Sequence, residues 1–216
     1  MFFANDSSVN VPPWVINHES YRRWAMSDEF PDRGQISYLD GRLWVDLSME
    51  RAKHNQIKFA CGYGVTKLIR RTRSGRYYAD RMLLTNAKVG LSTEPDGTYF
   101  SFESLRTGRV VMKKGEEALE FEGSPDMALE VISASSIEKD AQILMQLYWR
   151  AGIREYWLVD PLGERVDFRI YEQNTKGYIQ VPARDGWAKS ELFGKSFHLS
   201  QTMAPDGMPE YSLKVR

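Results

Sequence analysis

The chain has 216 residues with 29 basic and 29 acidic side chains, so its formal net charge of zero singles out neither a polyanionic nor a polycationic partner. Ten Phe, eleven Tyr and six Trp are enough for a sizeable core, and no run approaches the ~18 apolar residues of a membrane span. A single cysteine, Cys61, excludes an internal disulfide; with no basic-then-apolar leader at the N-terminus, cytoplasmic residence is the expectation.

Residues 1–16 are polar, contain Pro12-Pro13 and read as an arm. Asn17 is placed to cap a short helix through Ser20, Tyr21, Trp24 and Ala25 that ends before Pro31. Gln35–Leu39 and Leu43–Leu47 flank Asp40-Gly41, the strongest short hairpin signal in the chain. Ser48 is expected to cap a long helix from about Met49 to about Arg71, with Ile57, Ala60, Cys61, Val65, Leu68 and Ile69 inward. Gly62 and Gly64 weaken that helix and predict an irregularity. Short β-type runs follow at Tyr77–Ala79, Met82–Leu84 and Thr98–Phe102, and Val110–Met112 with Ala118–Phe121 reads as another hairpin.

The stretch Ser124–Pro161 organises the rest. Met127–Ile132 is an apolar run of strand length, as in a strand covered on both faces, yet it contains Glu130. An ionised carboxylate there is costly unless it is paired or bound to a cation. Ser135 and Glu138 have the spacing of a capping box. Ile143, Leu144, Leu147, Tyr148 and Ala151 form one face of the helix that follows, and Gly152 is placed to end it. Tyr156–Val159 is a second buried strand, which makes the unit a right-handed parallel crossover. Beyond it, Arg165–Tyr171 and Tyr178–Pro182 form a hairpin over Asn174–Gly177, with further strands at Ser196–Leu199 and near Tyr211.

Charge is unevenly distributed. Arg51–Ala79 holds no acidic residue but contains Arg51, Lys53, Lys58, Lys67, Arg70, Arg71, Arg73 and Arg76. Such a stretch can track phosphates, or it can be a solvated helix face.

DGRLWVDLS, a helix with His54-Asn55, Pro95-Asp96, then LEVIS-x-SS and YWRAGIREYWLVDP, in that order, resemble the Uma-two family, restriction-endonuclease-like proteins of the PD-(D/E)XK nuclease superfamily. The resemblance covers about residues 35–200. It implies an α/β fold, a restriction-endonuclease-like mixed β-sheet flanked by helices, here with additional β-hairpins. The implied layout is an N-terminal arm and short helix over 1–34, the nuclease-like domain over 35–200, and a C-terminal extension over 201–216 packed on it. The implied activity is divalent-metal-dependent hydrolysis of phosphodiester bonds in DNA, with Mg2+ or Mn2+ held by Asp96 and Glu130. A homodimer is compatible with it.

Magnesium is a hard cation commonly held by one or two carboxylates plus substrate phosphate, which suits an Asp and a Glu on adjacent strands. Pro95-Asp96-Gly97 is also an ordinary turn signature. Pro125-Asp126 offers a second match to the superfamily's PD, with Asp126 sharing strand parity with Glu130; Asp96 is preferred because the family places its first acid in the preceding strand region. The superfamily lysine position is occupied by Ile132, and the helical position used by many relatives by Leu144. Lys139 is the remaining candidate, and a cation in a first helical turn is not explained by the helix dipole. Where relatives carry an acid in the first hairpin, Ser37 and Arg42 stand instead, leaving Asp46 or Glu50 as substitutes; His54 falls where relatives often have histidine. Two rival readings are a non-catalytic nucleic-acid-binding module and an interaction protein that pairs through the 165–182 hairpin.

Overall fold

Met127–Val131 forms strand β9 and Glu155–Asp160 forms β10, paired in parallel from Glu155 opposite Met127 to Val159 opposite Val131. The computed structural model describes residues 9–216, so half of the expected 1–16 arm lies outside the described residues. Both strands are buried and their side chains alternate between two cores. Met127, Leu129, Val131, Trp157 and Val159 face one, whereas Ala128, Ile132, Tyr156 and Leu158 face the other. This is the burial on both faces that the apolar runs predict.

In chain order the elements before β9 are α1 (His18–Ala25), β1 (Gln35–Leu39), β2 (Arg42–Asp46), α2 (Ala52–Thr72), β3 (Gly75–Ala79), β4 (Leu83–Asn86), β5 (Leu91–Thr93), β6 (Gly97–Ser101), α3 (Phe102–Arg106), β7 (Val110–Val111) and β8 (Glu120–Gly123). After β9 comes a π-helical stretch, Lys139–Leu144, that runs into α4 (Met145–Arg150). The remaining strands are β10, β11 (Asp167–Asn174), β12 (Gly177–Gln180), β13 (Ala188–Ser190), β14 (Lys195–Met203) and β15 (Pro209–Val215). They build a six-stranded sheet in the order β12-β11-β10-β9-β6-β3, a second in the order β2-β1-β5-β4-β8-β7, and a three-stranded sheet β13-β14-β15.

α2 packs on one face of the β9 sheet together with the β14–β15 hairpin, through Ile57, Cys61, Val65, Phe197 and Leu213. The second core joins the other face of β9 and β10 to the second sheet and α4, through Leu84, Phe121, Leu144 and Tyr148. A smaller cluster of Tyr21, Trp24 and Ile36 seats α1 on β1. The mixed α/β architecture agrees with the fold expected from sequence, except that the flanking β structure amounts to a second full sheet.

Several local expectations hold for the reasons that motivated them. Asn17 caps α1 in a reciprocal box with Ser20, and Asp40 and Gly41 both adopt positive φ, 48° and 88°, as a two-residue hairpin turn requires. Gly152, at φ 77°, ends α4.

Others are corrected. Ser48 does not cap α2, which starts at Ala52 with no side-chain cap. The Ser48 N–H instead donates to Asp46 Oδ1 at 2.8 Å and its hydroxyl lies 3.2 Å from Ser135 Oγ. The Ser135/Glu138 capping box does not form either, because Ser135 Oγ donates to Asp46 Oδ2 at 2.7 Å. α2 runs through Gly62 and Gly64 without a break. A Cβ on Gly64 would lie 2.8 Å from Leu213 Cβ, so this glycine admits β15 rather than weakening the helix locally. The boundary placed at residue 200 cuts through β14, whose hairpin with β15 is integral to the core under α2.

Candidate active site

Glu130 lies on the face of β9 that looks toward α4, and Tyr148 Oη donates to its Oε1 at 2.6 Å. It is 2% exposed. Burial is the main reason its carboxyl is pushed well above the usual range; Asp140 and Asp96 push it further, and the nearby Lys139 opposes them.

Asp96 immediately precedes β6, the antiparallel neighbour of β9. Gly97 is opposite Leu129, and the same register places Asp96 opposite Glu130. Its Oδ2 accepts from the Val131 N–H at 2.7 Å. Burial raises its pKa against the pull of His54 and Lys58. The Gly97 that follows is not a turn residue: a Cβ there would lie 2.0 Å from Tyr77 Oη, so glycine is needed for the ring to pass over the start of β6.

Asp126, the other candidate, immediately precedes β9, four residues before Glu130 and about 13 Å from it along the chain. It is fully buried, accepts from the Ser101 N–H at 2.7 Å, and has Arg154 at 3.4 Å and Arg109 Nε at 3.8 Å. Those contacts tie β6 to β9 at the end away from the site.

Around Asp96 and Glu130 opens a cavity of about 700 Å³, lined by the end of β2, the start of α2, Asp80-Arg81, Glu94, the end of β9 and the loop after it, and Lys139-Asp140. Asp46, Glu50, His54, Asp96, Glu130 and Lys139 border it, and Asp126 does not. Glu50 sits at the entrance to α2 and contacts His54 Nδ1 at 2.8 Å, Asn55 Nδ2 at 3.1 Å and Lys58 Nζ at 2.5 Å. Partial burial pushes its pKa up, but Lys58, His54 and Asn55 outweigh that and hold it at about 2. His54 Nε2 donates to the Val131 carbonyl at 2.6 Å and stands 3.5 Å from Asp96 Oδ2. Asp46 also lines the cavity, tied to Ser48 and Ser135.

Lys139 is buried in the π-helical stretch, its Nζ 3.3 Å from Asp140 Oδ1. The wider π turn lets consecutive residues, Lys139 and Asp140, both border the cavity. Burial disfavours the Lys139 ammonium, but Asp140, Glu130 and Asp96 outweigh it and raise the pKa above the ordinary lysine value. Leu144 is fully buried in the core with Tyr148, whereas Ile132 lines the cavity as an apolar wall.

Three participants were missed in the sequence. Lys58 lies 2.7 Å from Asp80 Oδ2 and 3.6 Å from Asp96 Oδ1; its position one turn after His54, on the same helix flank, was a readable signal. Asp140 has its pKa raised to about 6, by burial above all, with the Lys139 ammonium 3.3 Å from its Oδ1 acting the other way. Asp80, at φ 21°, precedes Arg81 at φ 62°, and this strained pair turns the chain from β3 into the cavity wall. No sequence feature announced it.

Among the described residues no group of three His, Cys, Asp or Glu side chains is arranged as a metal cluster. The donor set nonetheless suits a hard divalent ion, which needs one or two carboxylates and keeps its waters. Asp96 and Glu130 both border the cavity, and Asp96 adds to the cost of ionising Glu130, a repulsion that a bound cation would relieve.

The Uma2 family model, described as "Putative restriction endonuclease", matches residues 18–202. That span takes in α1, beyond the limit of the motifs read from sequence. A crystal structure from Anabaena variabilis ATCC 29413, described as a "putative nuclease belonging to DUF820", has a TM-score of 0.63 to this chain at 19% identity, covering 83% of this chain and 91% of that one. The two share a fold. No curated protein matches the chain. Among the described residues no helix is long and apolar enough to cross a membrane.

Proposed function

The chain belongs to the Uma2 family of nuclease-like proteins, and on that premise we propose that it is a divalent-metal-dependent endonuclease that hydrolyses phosphodiester bonds in DNA. The observation that carries the reading is the convergence of the buried Asp96, Glu130 and Asp140 carboxylates with the buried Lys139 ammonium in one cavity.

Asp96 and Glu130 would hold Mg2+ or Mn2+, which supplies Lewis-acid polarisation of the phosphate and a more acidic water. The chain's own groups supply the rest. The Val131 N–H and the Tyr148 hydroxyl fix the orientation of the two carboxylates. Lys139 is held charged by its acidic neighbours and offsets negative charge that develops on the phosphate oxygens in the transition state. Asp140 keeps that ammonium at the cavity. Glu50 anchors His54 and Lys58 on the α2 side, and these two side chains border the space a phosphate would enter. Catalysis then rests on positioning and electrostatic stabilisation.

The test is nicking of supercoiled plasmid with Mg2+ or Mn2+, beside EDTA and Glu130→Gln. Metal-dependent nicking that falls at least about 10³-fold in the variant, corresponding to about 4 kcal/mol of transition-state stabilisation, supports the reading. A second reading draws on the apolar Ile132 and Leu144 at the positions where relatives carry lysine: a module that binds nucleic acid without cutting it. Salt-sensitive DNA retention by folded protein, with no nicking in any metal, would select that reading instead.

A further inference from the structure

The outer face of α2 carries a feature the cavity does not use. Phe59 and Tyr63 lie one turn apart with stacked rings, centroids 6.2 Å apart at 19°, and are 73% and 61% exposed. At 3.6 residues per turn, positions 59, 63, 67 and 70 fall on one stripe, so Lys67 and Arg70 continue the line of the aromatic pair. The core residues Cys61, Val65 and Leu68 mark the opposite side of the helix. Lys67 and Arg70 are exposed, and among the described residues neither has an acidic partner within 4.0 Å. Nor does the chain offer an acid anywhere from Arg51 to Ala79.

A pair of aromatic rings one turn apart stabilises its own helix by only about 0.2–0.5 kcal/mol, so local helix stability is a weak reason to expose both. A second copy of the chain docking here would bring one uncompensated positive stripe against another. The charge complements a polyanion, and the exposed rings suit one whose bases are free to stack. Bases inside a duplex already stack on each other; those of a single strand do not. From Phe59 to Arg70 the stripe is about 16 Å long, enough to follow several nucleotides.

We infer that Phe59, Tyr63, Lys67 and Arg70 form a track for a single-stranded segment of DNA on the outer face of α2, with bases stacked on the two rings and phosphates paired with the two cations. The substrate's identity rests on the nuclease reading, whereas the test reads binding alone.

Single-stranded oligonucleotides carrying 2-aminopurine are titrated with the full chain in EDTA, so that no cleavage occurs. Wild type quenches the fluorophore and prefers single strands to blunt duplex. Phe59→Leu/Tyr63→Leu keeps apolar bulk, retains the unfolding temperature, loses the quenching and raises Kd about tenfold or more, since each stacked base is worth about 1–3 kcal/mol. Lys67→Gln/Arg70→Gln keeps the quenching and lowers the salt slope by about 1.4, two single-strand phosphate contacts. Equal affinity and quenching in the double leucine variant overturns the inference. So does a wild-type dimer that the leucine pair dissociates while DNA affinity is unchanged, which gives the stripe to a second copy. Plasmid nicking without quenching removes the track and leaves the nuclease reading standing; quenching without nicking does the reverse.

Discussion

The two ends of the β9–β10 pair bury carboxylates in opposite ways. At the end where the strands begin, Asp126 has a backbone donor and two guanidiniums, and Glu155 accepts from Trp157 Nε1, Ser190 Oγ and the Leu192 N–H at 2.8–2.9 Å. At the end where they finish, Glu130 has one phenolic donor, Asp140 and Asp96 both raise the cost of ionising it, and the Lys139 ammonium opposes them. Buried acid alone therefore does not mark function. An answered carboxylate locks strands together, whereas a crowded one creates demand for a cation.

The comparison can be broken by experiment. Lys139→Met should lower nicking by about 10²–10³-fold, the scale of removing one preorganised charge, while divalent binding measured by calorimetry persists. A fully active variant would move the role to Lys58. Asp126→Asn should cost about 2–3 kcal/mol in denaturant unfolding, because Arg109 loses its buried counter-charge; the figure sits below that of a fully buried pair since Arg154 is half exposed. Nicking per folded molecule should be unchanged, and a loss comparable to that in Glu130→Gln would erase the distinction between the ends.

The smallest effect concerns pH. Glu130, Asp96 and Asp140 all have folded pKa values raised above those of the unfolded chain, Asp140 to about 6. Unfolded carboxyls titrate near about 4, so above that pH the native state holds more protons than the unfolded state, and stability falls as pH rises. Glu50, held at about 2, acts with the opposite sign only at lower pH. In EDTA the melting temperature should be lower at about pH 8 than at about pH 5.5, and Glu130→Gln should shrink that difference. A flat profile would contradict the crowding at this end.

Much of the architecture was legible because it is local. The α1 cap at Asn17, the Asp40-Gly41 turn, the inward face of α2 and the burial of β9 and β10 follow from periodicity and turn chemistry within a few residues. The misplaced cap at Ser135 shows the limit of such reasoning. Its spacing was right, but its hydroxyl is drawn to Asp46, which the fold brings from the end of β2, whereas Ser48 is held by the same Asp46 only two residues away. Gly64 looked like a helix fault until Leu213, far along the chain, was seen to fill its place.

The same division runs through the candidate site. Neighbouring residues alone mark Glu130 as an acid inside an apolar strand and place His54, Glu50 and Lys139 near turns or helix starts. That Asp96 and not Asp126 shares the cavity with Glu130 came from the assembled fold, because it depends on how the residues before β6 are laid against the end of β9. The fold also brought Lys58, Asp80 and Asp140 to the same cavity. Strand register and helix docking are fixed by long-range burial, which no short window of residues contains.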